Sequence, residues 1–136
     1  MTATRRWLAV ALVAGGVSTA RGLSRLSRVE VVGDSMRPAL EPGDRLVLSR
    51  SRCPRPGELV AVADPRQPRR TVLKRLVEVS PAGLTVLGDN ASASTDSRTF
   101  GPVGADAVRG RVIYRYHPAH RRGRLLRSRS DQPLVT

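Results

Sequence analysis

From Val29 to Tyr116 the apolar residues fall in short Val- and Leu-rich runs broken by Gly, Pro and Asp, and no stretch of helical length keeps a 3.6-residue period. This pattern predicts strands over Val29–Val32, Arg45–Leu48, Leu59–Ala63, Val72–Val79, Leu84–Leu87 and Arg109–Tyr116. Turn signals lie between them at Glu41-Pro42-Gly43-Asp44, Pro56-Gly57-Glu58, Asp64-Pro65 with Pro68, and Ser80-Pro81-Ala82-Gly83. The expected fold is all-β, a compact antiparallel domain over 29–116.

The N-terminal pattern is different. An apolar run from Trp7 to Ala20, softened by Gly15, Gly16, Ser18 and Thr19, is preceded by Arg5 and Arg6 and closed by Arg21. Crossing about 30 Å of hydrocarbon takes about 20 residues, so the run is short for a span. It reads as a short or tilted anchor, as the core of a signal peptide with Ser18-Thr19-Ala20 as cleavage site, or as a short apolar helix packed on protein. Arginines flank both ends, so they set no orientation.

Composition changes this picture in two ways. Hydrophobic residues make up 40% of the 136 and aromatics 3%, so aliphatic side chains must fill the core. The net charge of +13 sits at the ends. Residues 1–28 carry five arginines and no acid, and residues 115–136 carry six arginines and one acid. The segment between them nearly balances, with thirteen basic and ten acidic residues. Residues 117–136 therefore read as a basic, solvated tail. Basic ends beside an apolar run suit an anionic membrane surface, at about 1 kcal/mol per basic residue near the headgroups. Without a zinc-finger or RNP pattern, a nucleic-acid partner is not expected.

The single cysteine, Cys53, allows no internal disulfide and no thiolate metal site, and it reads as an incidental loop thiol. His117 and His120 read as surface residues, since a His-x-x-His pair alone is a poor metal site. No metal or cofactor is expected.

Of the 24 basic residues all but Lys74 are arginine. Arginine stays protonated, whereas a buried lysine can lose its proton and serve as a base. On an extended strand Val72 and Leu76 share the face of Lys74, so desolvation should depress its pKa. A lysine at about pKa 10.4 is only about 0.04% neutral at pH 7, and lowering it by about 3 units costs roughly 4 kcal/mol. The bland alternative is a lysine made rare by nucleotide composition, whose amine reaches water while its stem is buried.

A base needs a nucleophile. Gly33-Asp34-Ser35-Met36-Arg37-Pro38 places Ser35 where the chain leaves a strand, in a turn that can expose a hydroxyl and aim backbone N–H groups at a developing oxyanion. Gly-Asp-Ser is also an ordinary turn tripeptide. The histidine positions leave no Ser-His-Asp triad, so Ser-Lys is the surviving pairing. A third element, the polar loop from Gly88 to Gly101, contains Asp89, Asn90, Ser94, Asp96 and Arg98. It is either a solvated loop or a rigid one whose hydroxyls orient an amine.

Taken in order, Gly33–Leu40, Lys74-Arg75 and the Gly88–Gly101 loop resemble the type I signal peptidase family of Ser-Lys membrane proteases. The resemblance implies a nucleophile at Ser35, a general base at Lys74 and an amine-orienting hydroxyl at Ser94. It implies loop support from Asp89, Asn90, Asp96 and Arg98, packing near the site by Met36, and a turn fixed by Pro38. Some members use a serine hydroxyl two residues before the nucleophile to bind the oxyanion. Gly33 stands there, which leaves backbone donors, notably the Ser35 N–H. The resemblance further implies a polypeptide precursor cut after a small residue, no cofactor, and association with a bacterial plasma membrane on a face the charges do not decide. LexA-type self-cleaving repressors are similar over the first two blocks but lack the third. In size and style the chain resembles the nickel-type superoxide dismutase maturation proteases. A peptidase-like domain without activity, binding extended peptides at a membrane, is the competing class.

Overall fold

In the computed structural model, residues 25–125 are described. The apolar run 7–20 and the last residues of the basic C-terminal segment lie outside them. Strands β1 (Leu26–Glu30), β2 (Arg45–Ser49), β3 (Leu59–Asp64), β4 (Gln67–Ser80), β5 (Gly83–Leu87), β6 (Val108–His117) and β7 (Gly123–Arg124) form one sheet. Its order is β1-β2-β6-β3-β4-β5, with β7 on β6, and every pairing is antiparallel. The domain is all-β, as the punctuated apolar runs predict. Among the described residues no helix is long and apolar enough to cross a membrane.

β3 is the central strand and is buried along its whole length. Because side chains alternate across a strand, its residues feed two cores. Leu59 and Ala61 join Val31, Met36, Leu40, Leu46, Leu48, Leu73 and Val112. Val60 and Val62 join Leu76, Leu84, Val86 and Val103, with Phe100 packed at the margin. Met36 and Leu40 tie the Ser35 turn to the first core, while Phe100 and Val103 bring the end of the Gly88–Gly101 loop and the residues after it onto the second.

Two boundaries differ from the sequence reading. β4 begins at Gln67 rather than Val72, because Pro65 and Arg66 close a two-residue turn onto β3. Asp64, almost wholly buried, stabilises that turn by accepting the Arg66 backbone N–H at 3.0 Å and the Arg66 guanidinium. Residues 67–71 are exposed, so no apolar alternation marks them as strand. β1 runs earlier than Val29–Val32. Val31 leaves the ladder to bond Asp44 and Gly43, and Val32 is 85% exposed.

The folded region also extends past 116, into the segment that reads as tail. Asp44, 2% exposed, accepts hydrogen bonds from Arg115 Nη1 at 3.1 Å, Arg121 Nη1 at 2.8 Å and the Glu41 N–H at 3.0 Å. Arg115 Nη1 also reaches the carbonyl of Ala39 at 3.0 Å, Arg121 Nη1 bonds Glu41 at 2.9 Å, and Leu125 packs on the first core. Arg121 is thus a structural clamp on the 31–44 loop, not a solvated charge. His117 and His120 are exposed. Replacing Asp44 by Ala strands two half-buried guanidinium groups and should lower unfolding free energy by about 3 kcal/mol in denaturant titrations. A loss below about 1 kcal/mol would mean the cluster is solvated.

Candidate active site

Lys74 lies in the middle of β4, opposite Val60 of β3, and is 3% exposed. Its Nζ donates to Ser94 Oγ at 2.9 Å. Ser94 Oγ in turn donates to Asp96 Oδ2 at 2.8 Å. The direction follows from chemistry: an ionised carboxylate only accepts, so the single hydroxyl proton goes to Asp96 and the Ser94 lone pairs face the amine.

Asp96 anchors this relay. It is 1% exposed and also accepts the Gly88 N–H at 2.8 Å, the Arg98 N–H at 3.1 Å, and Arg98 Nε and Nη2 at 2.9 and 2.5 Å. Burial alone raises the Asp96 pKa, but the bonds from Arg98, Gly88 and Ser94 outweigh it and hold the carboxyl well below the usual carboxylate range. Asp96 also caps the single helical turn Ser97–Phe100, and Ser97 Oγ accepts the Val86 N–H at 2.9 Å, which docks the loop on β5.

Burial pushes the Lys74 amine below the ordinary lysine value. The charges of Asp96 and Asp64 oppose that shift, and those of Arg70 and Arg66 assist it. Desolvation is the largest effect, so the net direction is down.

The Ser35 turn meets this relay at Gly88. A Cβ on Gly88 would stand 2.1 Å from Ser94 Oγ and 2.8 Å from the carbonyl oxygen of Ser35, so only glycine lets the two approach. Asn90 stitches the same contact, its N–H donating to the Ser35 carbonyl at 2.9 Å and its Nδ2 to the Asp34 carbonyl at 3.1 Å. Arg75, beside Lys74, grips Asp89 through Nε at 2.8 Å and Nη2 at 2.7 Å, and Gly57 through Nη1 at 2.8 Å.

Ser94, Asn90, Asp96, Arg98 and Asp89 thus form one framework that joins Lys74 to the backbone of Ser35. Met36 is 1% exposed in the core beneath the turn, and Pro38 is exposed in the same loop. The Ser35 hydroxyl makes no hydrogen bond among the described residues; the amine is held by Ser94. Sequence reasoning did not single out Gly88, Ser97 or Arg75 as site residues. Only Arg75 carried a signal, a cation next to the lone lysine. Among the described residues no group of three or more His, Cys, Asp or Glu gathers as a metal site.

The antiparallel β-domain thus holds a buried lysine, the hydroxyl bonded to it and the serine turn in one hydrogen-bonded framework. The chain belongs to the family described as "Signal peptidase, peptidase S26", whose sequence pattern matches residues 4–83 and 77–117. The match favours the signal peptidase resemblance over the LexA one. Two plant relatives from Arabidopsis thaliana are mitochondrial ATP-independent inner membrane protease subunits. Subunit 1b is 32% identical over 113 residues, covering 63% of this chain and 67% of the relative. Subunit 1a is 32% identical over 120 residues, covering 68% and 71%. Mitochondrial inner membrane protease subunit 2 of Danio rerio is 30% identical over 125 residues, covering 73% and 67%.

Proposed function

We propose that the chain is a serine endopeptidase that removes an N-terminal leader from a polypeptide precursor through a Ser35-Lys74 dyad. The observation that carries this reading is the buried amine of Lys74, bonded to Ser94 in the framework that also holds the Ser35 turn. A neutral amine that gives one N–H to Ser94 keeps its lone pair for another partner. The dyad requires the Ser35 hydroxyl, on a half-exposed side chain of the kind whose rotamers exchange quickly, to meet that lone pair in the substrate complex. Lys74 then takes the Ser35 proton as Oγ attacks the carbonyl after a small residue. The tetrahedral intermediate collapses to an acyl-enzyme as the protonated amine gives its proton to the leaving nitrogen. Water activated by Lys74 hydrolyses the ester. No metal or cofactor enters the sequence of steps.

The substrate would lie extended along a strand edge, with shallow pockets for small side chains. Membrane association is supported by the relatives named as inner membrane proteases and by the apolar run 7–20 between basic flanks. Two substrates are tested side by side, a secretory preprotein and a nickel-type superoxide dismutase precursor, with mass spectrometry of the new N-termini. Ser35→Ala should abolish cleavage of whichever is cut. Stoichiometric acylation of Ser35 by a peptide-like covalent inhibitor separates the enzyme from an inactive peptide-binding domain.

The pH dependence has a definite sign. The neutral fraction of Lys74 rises with pH through a pKa below the ordinary lysine value, so kcat/KM should climb and level off before about pH 10.4. A rate unchanged from pH 5 to 10 would contradict an amine base.

A further inference from the structure

Asn90 bonds two consecutive carbonyls of the nucleophile turn, that of Asp34 through Nδ2 at 3.1 Å and that of Ser35 through its backbone N–H at 2.9 Å. The Asn90 amide orientation is itself fixed, because Ser92 Oγ donates to Oδ1 at 3.1 Å and leaves Nδ2 facing Asp34. The Asp34–Ser35 and Ser35–Met36 peptides are trans, so in each the N–H points opposite to the carbonyl. Fixing the two carbonyls on Asn90 therefore turns the N–H groups of Ser35 and Met36 to the other side of the turn. Neither N–H is used in a hydrogen bond among the described residues, whereas the next one, of Arg37, closes the turn onto the Asp34 carbonyl at 3.2 Å. Successive free N–H groups in a turn make an anion-binding concavity. Gly33 has φ of 81°, a conformation that side-chain-bearing residues rarely adopt, so a hydroxyl two residues before Ser35 would come only with strain.

We propose that Asn90 is a positioning residue that presents the Ser35 and Met36 N–H groups together as the oxyanion site, replacing the side-chain donor that Gly33 lacks. The inference rests on the peptidase reading above.

The test uses the full chain with Asn90→Ala and Asn90→Asp. Aspartate keeps the size and the backbone N–H but cannot donate to the Asp34 carbonyl. Removing one oxyanion donor costs about 10²- to 10³-fold in kcat, and a loss on the order of 10²-fold is expected in both variants, with KM changed by less than about threefold. A peptide aldehyde, which forms a tetrahedral adduct with Ser35, should lose affinity in parallel with kcat, while binding of the released product peptide stays unchanged. Loss of product binding to the same extent would reveal a merely structural role and overturn the proposal. So would near-normal kcat in either variant while the wild-type chain is acylated at Ser35. A wild-type chain that is not acylated overturns the peptidase reading itself.

Discussion

Lys74→Met should abolish cleavage and at the same time make the protein more stable. In the proposed dyad Lys74 takes the Ser35 proton, so its removal should lower the rate on the order of 10⁴-fold. Lys74→Arg should be equally inactive, because a guanidinium keeps the charge but does not give up its proton. The gain in stability follows from the sign of the pKa shift. Burial lowers the folded-state pKa of Lys74, so between that value and about 10.4 the unfolded chain binds the proton more tightly than the folded one. Folding is therefore penalised at neutral pH, and the penalty fades as pH rises from the folded value to about 10.4. Methionine fills similar space without an ionisable group, and a gain of about 1 to 2 kcal/mol is typical when a functional site is relieved of such a cost. Denaturant titrations at pH 7 check this; a destabilised Lys74→Met would show that the amine is a structural partner of Ser94 and not a strained base.

Asp96→Asn should have the second-largest effect. The buried carboxylate collects the Gly88 N–H, the Ser94 hydroxyl and the Arg98 fork, and an amide cannot accept all of these without turning a donor toward one of them. A loss of about 2 kcal/mol is expected, since the buried Gly88 N–H and the Ser94 hydroxyl lose their acceptor while the Arg98 guanidinium, 46% exposed, returns to water. Two further signs are fixed. The negative charge of Asp96 raises the Lys74 pKa, so its removal should move the acidic limb of the rate profile to lower pH even as the rate falls. Because the folded-state pKa of Asp96 is depressed, its stabilisation is complete above the unfolded value of about 3.9 and is lost as pH falls further. The wild type should lose stability below about pH 4 more steeply than the Asn variant. An unshifted rate profile in a folded Asp96→Asn protein would disconnect the carboxylate from the amine.

The elements most legible in the sequence are those whose residues meet the core. Leu59–Ala63, Leu84–Leu87 and the body of β4 stand out because aliphatic side chains recur there without helical period. The first half of β4 does not, because residues 67–71 are exposed and contain Pro68. The role of Arg121 was hidden because a cation in a run of arginines looks solvated until its carboxylate, Asp44, is found 77 residues away. The burial of Lys74 was legible because Val72 and Leu76 share its face of the strand, and composition drew attention to it as a lone lysine among 23 arginines. Gly88 was not, since its requirement is a steric one set by Ser94 and Ser35 converging from different loops. Asn90 was expected to support its loop; that its two bonds go to the nucleophile turn is visible only in three dimensions.

Because Lys74 is the only lysine in the chain, selective ¹³Cε-lysine labelling gives a single side-chain resonance, and its chemical shift against pH reads the protonation of this amine directly. The account predicts a midpoint well below about 10.4 that coincides with the midpoint of the kcat/KM profile and moves down in Asp96→Asn. An amine titrating at the value of a free lysine, with cleavage intact, would contradict it.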